Sequence, residues 1–263
     1  MEGRSSKAMF LTIPTQVSAV RRVAASLARK IALSKTFDTA TCCSSEKLIV
    51  IEDAVYDAMM EQLLRCKGVL LDATQKARLQ AAMWHDGKLS ERCTAKSAEQ
   101  IAQAAGLDEL AGQEAKFLMV EESGFGPEHP FSGEKLAPVL AVYRASDFAD
   151  AARIVRSIYA YMGAGHSVGL HTANTDYAIE LGERLPVARV IVNQAHCLAT
   201  GGNFDNGLPF SLSMGCGTWG RNNFSGNLDF HYYLNVTRVA YPIEERMPEL
   251  DTLLGDYFGR VGR

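Results

Sequence analysis

Long apolar runs are missing from this 263-residue chain: no stretch approaches the roughly 18 residues needed to span a bilayer, so no membrane partner is expected. A positive charge surplus is missing too. The 27 Lys and Arg are outnumbered by 30 Asp and Glu, giving a formal charge of −3 and no electrostatic reason to expect nucleic acid as a partner. The six cysteines (Cys42, Cys43, Cys66, Cys93, Cys197 and Cys216) lack any disulfide-scaffold or CxxC rhythm, which suits reduced thiols in a cytoplasmic protein. Adjacent Cys42 and Cys43 would bridge each other only under severe strain. No HxxE or CxxC spacing supports a metal site, so none is expected. Residues 1–16 offer neither an apolar h-region nor a small-residue cleavage site, so no secretion signal is expected. Internal repeats and low-complexity tracts are absent as well.

What is present is an ordinary globular composition. Apolar residues make up 47% and charged residues 22%, enough apolar surface for a sizeable core. Residues 1–16 read as an irregular lead-in. From Val17 to Leu33, Val20, Val23, Ala24, Leu27 and Ile31 fall at helical spacing. "LIVI" (48–51) reads as an interior strand, followed by helices at 53–66, 73–84 and 97–105. "KFLMVE" (116–121) and "PVLAVYR" (138–144) are further strands. Ser146-Asp147 then caps a helix whose apolar face runs through Phe148, Ala151, Ala152, Val155, Ile158, Tyr159 and Met162. "SVGLHT" (167–172), a helix at 174–185 and "ARVIVNQ" (188–194) follow. Strands separated by helices imply βαβ units, so the expected class is α/β with a mainly parallel sheet flanked by helices. Residues 195–229 form a long Gly-, Asn-, Phe- and Ser-rich loop of the kind kept for function. "YYLNVTRVAYPI" (232–243) alternates like an exposed or pairing strand, and a helix at 247–258 ends the chain.

Four stretches carry chemistry. Cysteine is among the most buried residue types, so a lone one reads first as core. Cys42 and Cys43, however, lie in a Thr/Ser-rich connection between a helix and a strand, where hydroxyls and backbone N–H groups can support a thiolate. Spacing does not choose between them. A cysteine nucleophile often works with a histidine base, which brings in His166 of "GAGHSVGLH" and His171, each equally readable as a structural strand-end histidine. Glu134 precedes a strand in a Pro/Gly-rich loop, where a carboxylate can accept two ribose hydroxyls or simply face solvent. In "SLSMGCGTWGRNNFSGN" (211–227) small residues let a ligand approach the backbone. Phe210, Trp219, Cys216 and Thr218 are candidate pocket residues there; the alternative is a tight structural crossover.

Taken in order from about Arg21 to Ile243, these stretches resemble the aldehyde dehydrogenase superfamily, in particular its CoA-acylating branch. "FDTATCC" resembles the family's Phe-x-x-Gly-x-x-Cys motif, whose reactive cysteine lies six residues after the phenylalanine; from Phe37 that count lands on Cys43. "EKLAPVL" resembles the Glu-x-Phe/Leu-x-Pro-Val motif, whose glutamate holds the nicotinamide ribose, a role this assigns to Glu134. "GAGHSVGLHT", "ARVIVNQ" and "LSMGCGTWGRNNFSGNL" look like later blocks of the acylating branch. The resemblance implies oxidation of a small aldehyde, sulfoacetaldehyde among them, with NAD or NADP as oxidant and CoA as acyl acceptor. It also implies a homo-oligomer of two or four copies. Residues 17–229 would be the catalytic domain, with Phe210, Cys216, Thr218 and His166 around the substrate, and 230–263 an oligomerisation strand with a terminal helix.

Two departures stand out. The motif glycine is Ala40, which crowds the loop if that position requires positive φ. No GxGxxG-like strand–turn–helix appears, and the family's Rossmann-type cofactor domain and its oxyanion asparagine have no counterpart here. A second expectation is therefore a truncated homologue that folds and associates without turning over. A third, a cysteine hydrolase using Cys43 and His166, has no acyl-hydrolase motif around either residue.

Overall fold

A computed structural model of the protein describes residues 8–11 and 17–262, with side chains from Val23 onward. The chain divides into two units, the first ending at Asp229. In the first unit seven strands make one all-parallel sheet: β1 (Ala8–Leu11), β2 (Leu48–Glu52), β3 (Gly68–Leu70), β6 (Phe117–Glu121), β7 (Val139–Ala145), β8 (Val168–His171) and β9 (Val190–Val192). Their order across the sheet is β3-β6-β7-β2-β1-β8-β9. Between β3 and β6 lies a two-stranded hairpin, β4 (Trp84–His85) and β5 (Lys88–Leu89), turned by Asp86 and Gly87 in positive φ. This hairpin is not anticipated by the sequence reading; it ends the preceding helix one residue early.

Both faces of the sheet are covered, so its strands are apolar on both sides. On one face Ile49, Ile51, Phe117 and Leu140 pack against α1 (Val17–Thr36) and α2 (Tyr56–Arg65) through Leu27, Ile31, Met59 and Leu63. On the other, Leu48, Val50, Val120 and Tyr143 meet residues of α3 (Ala73–Met83), α4 (Ala98–Ala104), α5 (Phe148–Tyr161) and α6 (Asp176–Arg184). The spacing of α5 buries Phe148, Ala151, Ala152, Val155, Ile158 and Tyr159 as expected, and the Asp147 carboxylate accepts from the Asp150 N–H at 2.8 Å. In α1, Ala24, Leu27, Ala28 and Ile31 are buried, whereas Val23 faces outward. A short α7 (His196–Ala199) opens the long loop that follows β9.

Two expectations are corrected. The stretch read as an irregular lead-in contains β1, which pairs with β2 through Ala8↔Leu48 to Leu11↔Ile51 and with β8 on its other side. Four residues give too short a pattern to read locally; their partners lie far along the chain. In the second unit, 232–243 is not a strand. A 3₁₀ turn at Phe230–Tyr233 leads into irregular chain, and the terminal helix α8 spans Leu250–Val261. A strand needs a second row of backbone groups, and the described residues pair none with this segment. No described helix is long and apolar enough to cross a membrane.

His171, at the end of β8, is buried, and neither ring nitrogen has a hydrogen-bond partner among the described residues. Burial, aided by the nearby Lys30 charge, holds its pKa down to about 3. The folded protein therefore keeps this ring neutral where the unfolded chain protonates near pH 6.5. Stability should fall as pH drops from about 6.5 towards 3. In His171→Leu the urea midpoint should lose part of that acid dependence.

Candidate active site

All strands of the main sheet run the same way, so the residues just ahead of each strand gather at one edge. Cys43 lies on the approach to β2, Glu134 on the approach to β7 and His166 just ahead of β8, and these strands are close neighbours in the sheet. Open parallel sheets usually take ligands at the carboxyl ends of their strands. Here the candidate groups collect at the amino ends, whereas His171 closes the opposite end of β8 and does not join them.

The cysteine loop begins with a 3₁₀ turn, Phe37–Ala40, in which Asp38, Thr39 and Ala40 have φ of 47°, 49° and 59°. Ala40, the residue in the motif's glycine position, thus occupies the left-handed region and is wholly buried. An L-residue pays roughly 1–2 kcal/mol there, of which part is offset by the greater unfolded-state freedom of glycine. Ala40→Gly should therefore stabilise the protein by about 0.5–1 kcal/mol, seen as a higher urea midpoint at unchanged slope.

Beyond the turn the two cysteines separate. Cys42 is half-buried; its Sγ accepts from the Ser44 N–H at 3.4 Å and its carbonyl from the Ser45 N–H at 2.9 Å. Cys43 is exposed, with Sγ 3.5 Å from His166 Nε2. His166 is only 3% exposed, and its Nδ1 lies 2.7 Å from the Ser167 hydroxyl. When Ser167 donates to Nδ1, the Nε2–H faces the sulfur and supports a thiolate. When Ser167 accepts, Nε2 is the base for the thiol proton.

Behind His166, Gly165 (φ 102°) meets the glycine-rich loop backbone to backbone. A Cβ there would lie 2.5 Å from the Cys216 carbonyl oxygen and 2.6 Å from Gly220 N. This sets the backbone of Cys216 and of Gly220, which ends the 3₁₀ turn Thr218–Gly220, against the residue preceding His166. Arg189, at the start of β9, fastens the arrangement. Its buried guanidinium donates to the Gly215, Ser225 and His166 carbonyls at 3.0, 3.2 and 3.4 Å, and to Asn227 Oδ1 at 2.9 Å. Asn227 in turn donates to the Thr200 and Pro209 carbonyls at 3.0 and 2.8 Å. The sequence reading passes over Arg189 and Asn227, although a lone arginine within the run "ARVIVNQ" is a signal that the strand end meets something polar.

Two other predicted residues behave differently. Phe210 is exposed, and its ring lies 5.1 Å from that of Phe204. Glu134 is half-buried, with its backbone N–H on Met162 Sδ at 3.4 Å. Between Glu134 and the cysteine loop lies Lys47, fully buried. Desolvation lowers its pKa, while Glu134, Cys43 and Cys42 act electrostatically in the other direction. Nearby Glu46 accepts from the Ser34 hydroxyl at 2.5 Å, and burial raises its pKa to about 7. No cluster of three His, Cys, Asp or Glu suited to a metal occurs among the described residues.

A cysteine-bearing loop, an imidazole, a strand-leading glutamate and a glycine-rich loop thus gather at one edge of a parallel α/β sheet. The solved structures agree on the fold: an acetylating aldehyde dehydrogenase from Geobacillus thermoglucosidasius superposes with a TM-score of 0.82 at 27% identity, over 94% of this chain and 52% of that one. Two curated relatives narrow the branch. The acylating sulfoacetaldehyde dehydrogenase of Cupriavidus necator is 62% identical over 90% of this chain and 48% of its own length. The sulfoacetaldehyde dehydrogenase of an Acholeplasma species is 36% identical over 89% and 49%. No family model matches the chain. The chain is related to the CoA-acylating branch of the aldehyde dehydrogenases, and it spans about half the length of the curated relatives it matches.

Proposed function

We propose that this chain carries the thiol chemistry of a CoA-acylating aldehyde dehydrogenase, with a small aldehyde as substrate and sulfoacetaldehyde favoured by the relatives' names. The observation that carries the reading is the exposed Cys43 sulfur 3.5 Å from the buried His166 imidazole, with Cys42 turned inward. His166 Nε2 takes the thiol proton, and the Cys43 sulfur adds to the aldehyde carbon to give a thiohemiacetal. Bound NAD or NADP would supply the oxidant for conversion to the thioester, and Glu134 is the residue here suited to its ribose. Once His166 has released that first proton to solvent, it is placed to accept the proton of the CoA thiol, whose sulfur takes the acyl group from the thioester as Cys43 leaves as thiolate. The Cys43 backbone N–H offers one oxyanion donor; a second is needed, since losing one costs about 10²–10³ in rate.

Titrating the purified chain with NAD and NADP, then adding sulfoacetaldehyde and CoA, tests this. Saturable binding with aldehyde- and CoA-dependent reduction of the dinucleotide supports an active enzyme. Absence of binding favours the second reading, a chain that associates without turning over. The observation favouring that reading is the set of exposed apolar residues Val239, Tyr241 and Ile243, which alternate along the chain as a strand added to a second copy's sheet would. Val239→Asp with Tyr241→Asp should then shift the sedimentation profile towards monomer; an unchanged profile removes this segment from assembly.

A further inference from the structure

Beneath the cysteine loop three lysines, Lys35, Lys47 and Lys135, each have 0% exposure. Two of them are satisfied. Lys35 Nζ donates to the Glu46 carbonyl at 2.8 Å, and Lys135 Nζ donates to the Gly133 carbonyl at 3.0 Å and to that of Phe131. Lys47 Nζ makes no hydrogen bond among the described residues. A wholly buried amine without a hydrogen-bond partner stays charged only where opposite charge offsets its desolvation. Lys47 belongs to the same loop as Cys43, and its carbonyl accepts from the Ala141 N–H of β7 at 3.2 Å, which seats it between that loop and the segment carrying Glu134. The acidic groups that act on its amine electrostatically are the Glu134 carboxylate and the thiols of Cys43, Cys42 and Cys197. The like charges are Lys35 and Lys135, the former offset by Glu46. From β8, Cys43 is faced by His166.

We propose that Lys47 is a positioning residue: its buried ammonium is the shared counter-charge of the Cys43 thiolate and the Glu134 carboxylate, holding the nucleophile ionised. The inference rests on reading Cys43 as the nucleophile. Burial penalises an isolated ammonium and an isolated thiolate alike, but the pair formed together is neutral and each offsets the other's desolvation. Burial, with Lys35 and Lys135, pushes the Lys47 amine towards neutrality; Glu134 and the thiols hold it charged. Removing the amine therefore destabilises the anionic form of Cys43 while leaving its contact with His166 in place.

The test is the pH dependence of iodoacetamide alkylation at Cys43, read by peptide mass spectrometry in the wild type, Lys47→Met and His166→Gln. Methionine is of similar length, uncharged and tolerated in cores. Lys47→Met should raise the midpoint of Cys43 labelling by about one pH unit or more, slowing it about tenfold at pH 7, beyond any shift in His166→Gln. A purely structural role would lower the unfolding midpoint and leave the labelling midpoint where it was; that result overturns the proposal. If Lys47→Met does not unfold cooperatively, Lys47→Gln is read by the same criterion. Wild-type Cys43 that labels no faster than Cys42 would remove the nucleophile reading and this inference with it. Preferential wild-type labelling with an unmoved variant midpoint removes this inference alone.

Discussion

Alanine in place of Cys43 is expected to abolish the fast phase of iodoacetamide labelling near neutral pH, whereas Cys42→Ala keeps it. Labelling requires thiolate and access, and Cys43 has the exposed sulfur beside an imidazole. Cys42 spends its sulfur on the Ser44 N–H. The other thiols compete poorly: burial raises the pKa of Cys66 and of Cys93, so each holds little thiolate at pH 7. The fast rate should fall by about 10²-fold in Cys43→Ala, and acyl transfer from an acyl-CoA to the chain should disappear with it. A fast phase that survives in Cys43→Ala but is lost in Cys42→Ala would overturn the assignment.

The second large effect is structural and reaches the same site. Arg189→Met would leave the carbonyls of His166, Gly215 and Ser225 and the Asn227 side chain without their donor in a buried setting. Orphaned buried acceptors cost about 1–3 kcal/mol each, part of it recovered by relaxation, so a loss of about 3–5 kcal/mol is expected. At this chain length that corresponds to a Tm lower by roughly 10 °C, measurable by differential scanning calorimetry. Arg189→Lys should rescue little, because one ammonium cannot span four acceptors arranged for a planar fork. Slower Cys43 labelling in Arg189→Met, with His166 released from its clamp, would separate a site effect from plain loss of stability.

Much of the architecture is local in origin and was legible in the sequence. The α5 face follows from its 3.6-residue apolar period and its Asp147 cap, and β2 from four consecutive apolar residues that only a doubly covered strand can bury. The position of Cys43 follows from counting residues after Phe37. The Ala40 departure also had a readable consequence, since the substituted position does take positive φ. Less legible was anything that depends on a distant partner. β1 exists because Leu48–Ile51 and Gly169–His171 flank it, a pairing no local window contains. The 232–243 segment has the right alternation for a strand yet lacks a second row of backbone groups within the described residues.

The division at the active site has the same cause. By itself the sequence determined the α/β class and the loop that carries the paired cysteines, because these depend on short-range periodicity and on side-chain identity. Only the tertiary structure decided that Cys43 rather than Cys42 meets His166, and that Arg189 and Lys47 are buried. Those outcomes arise where parallel strands bring widely separated segments to one sheet edge. Lysine and arginine are ordinarily surface residues, and nothing in their neighbours' sequence says that the surrounding elements will close over them.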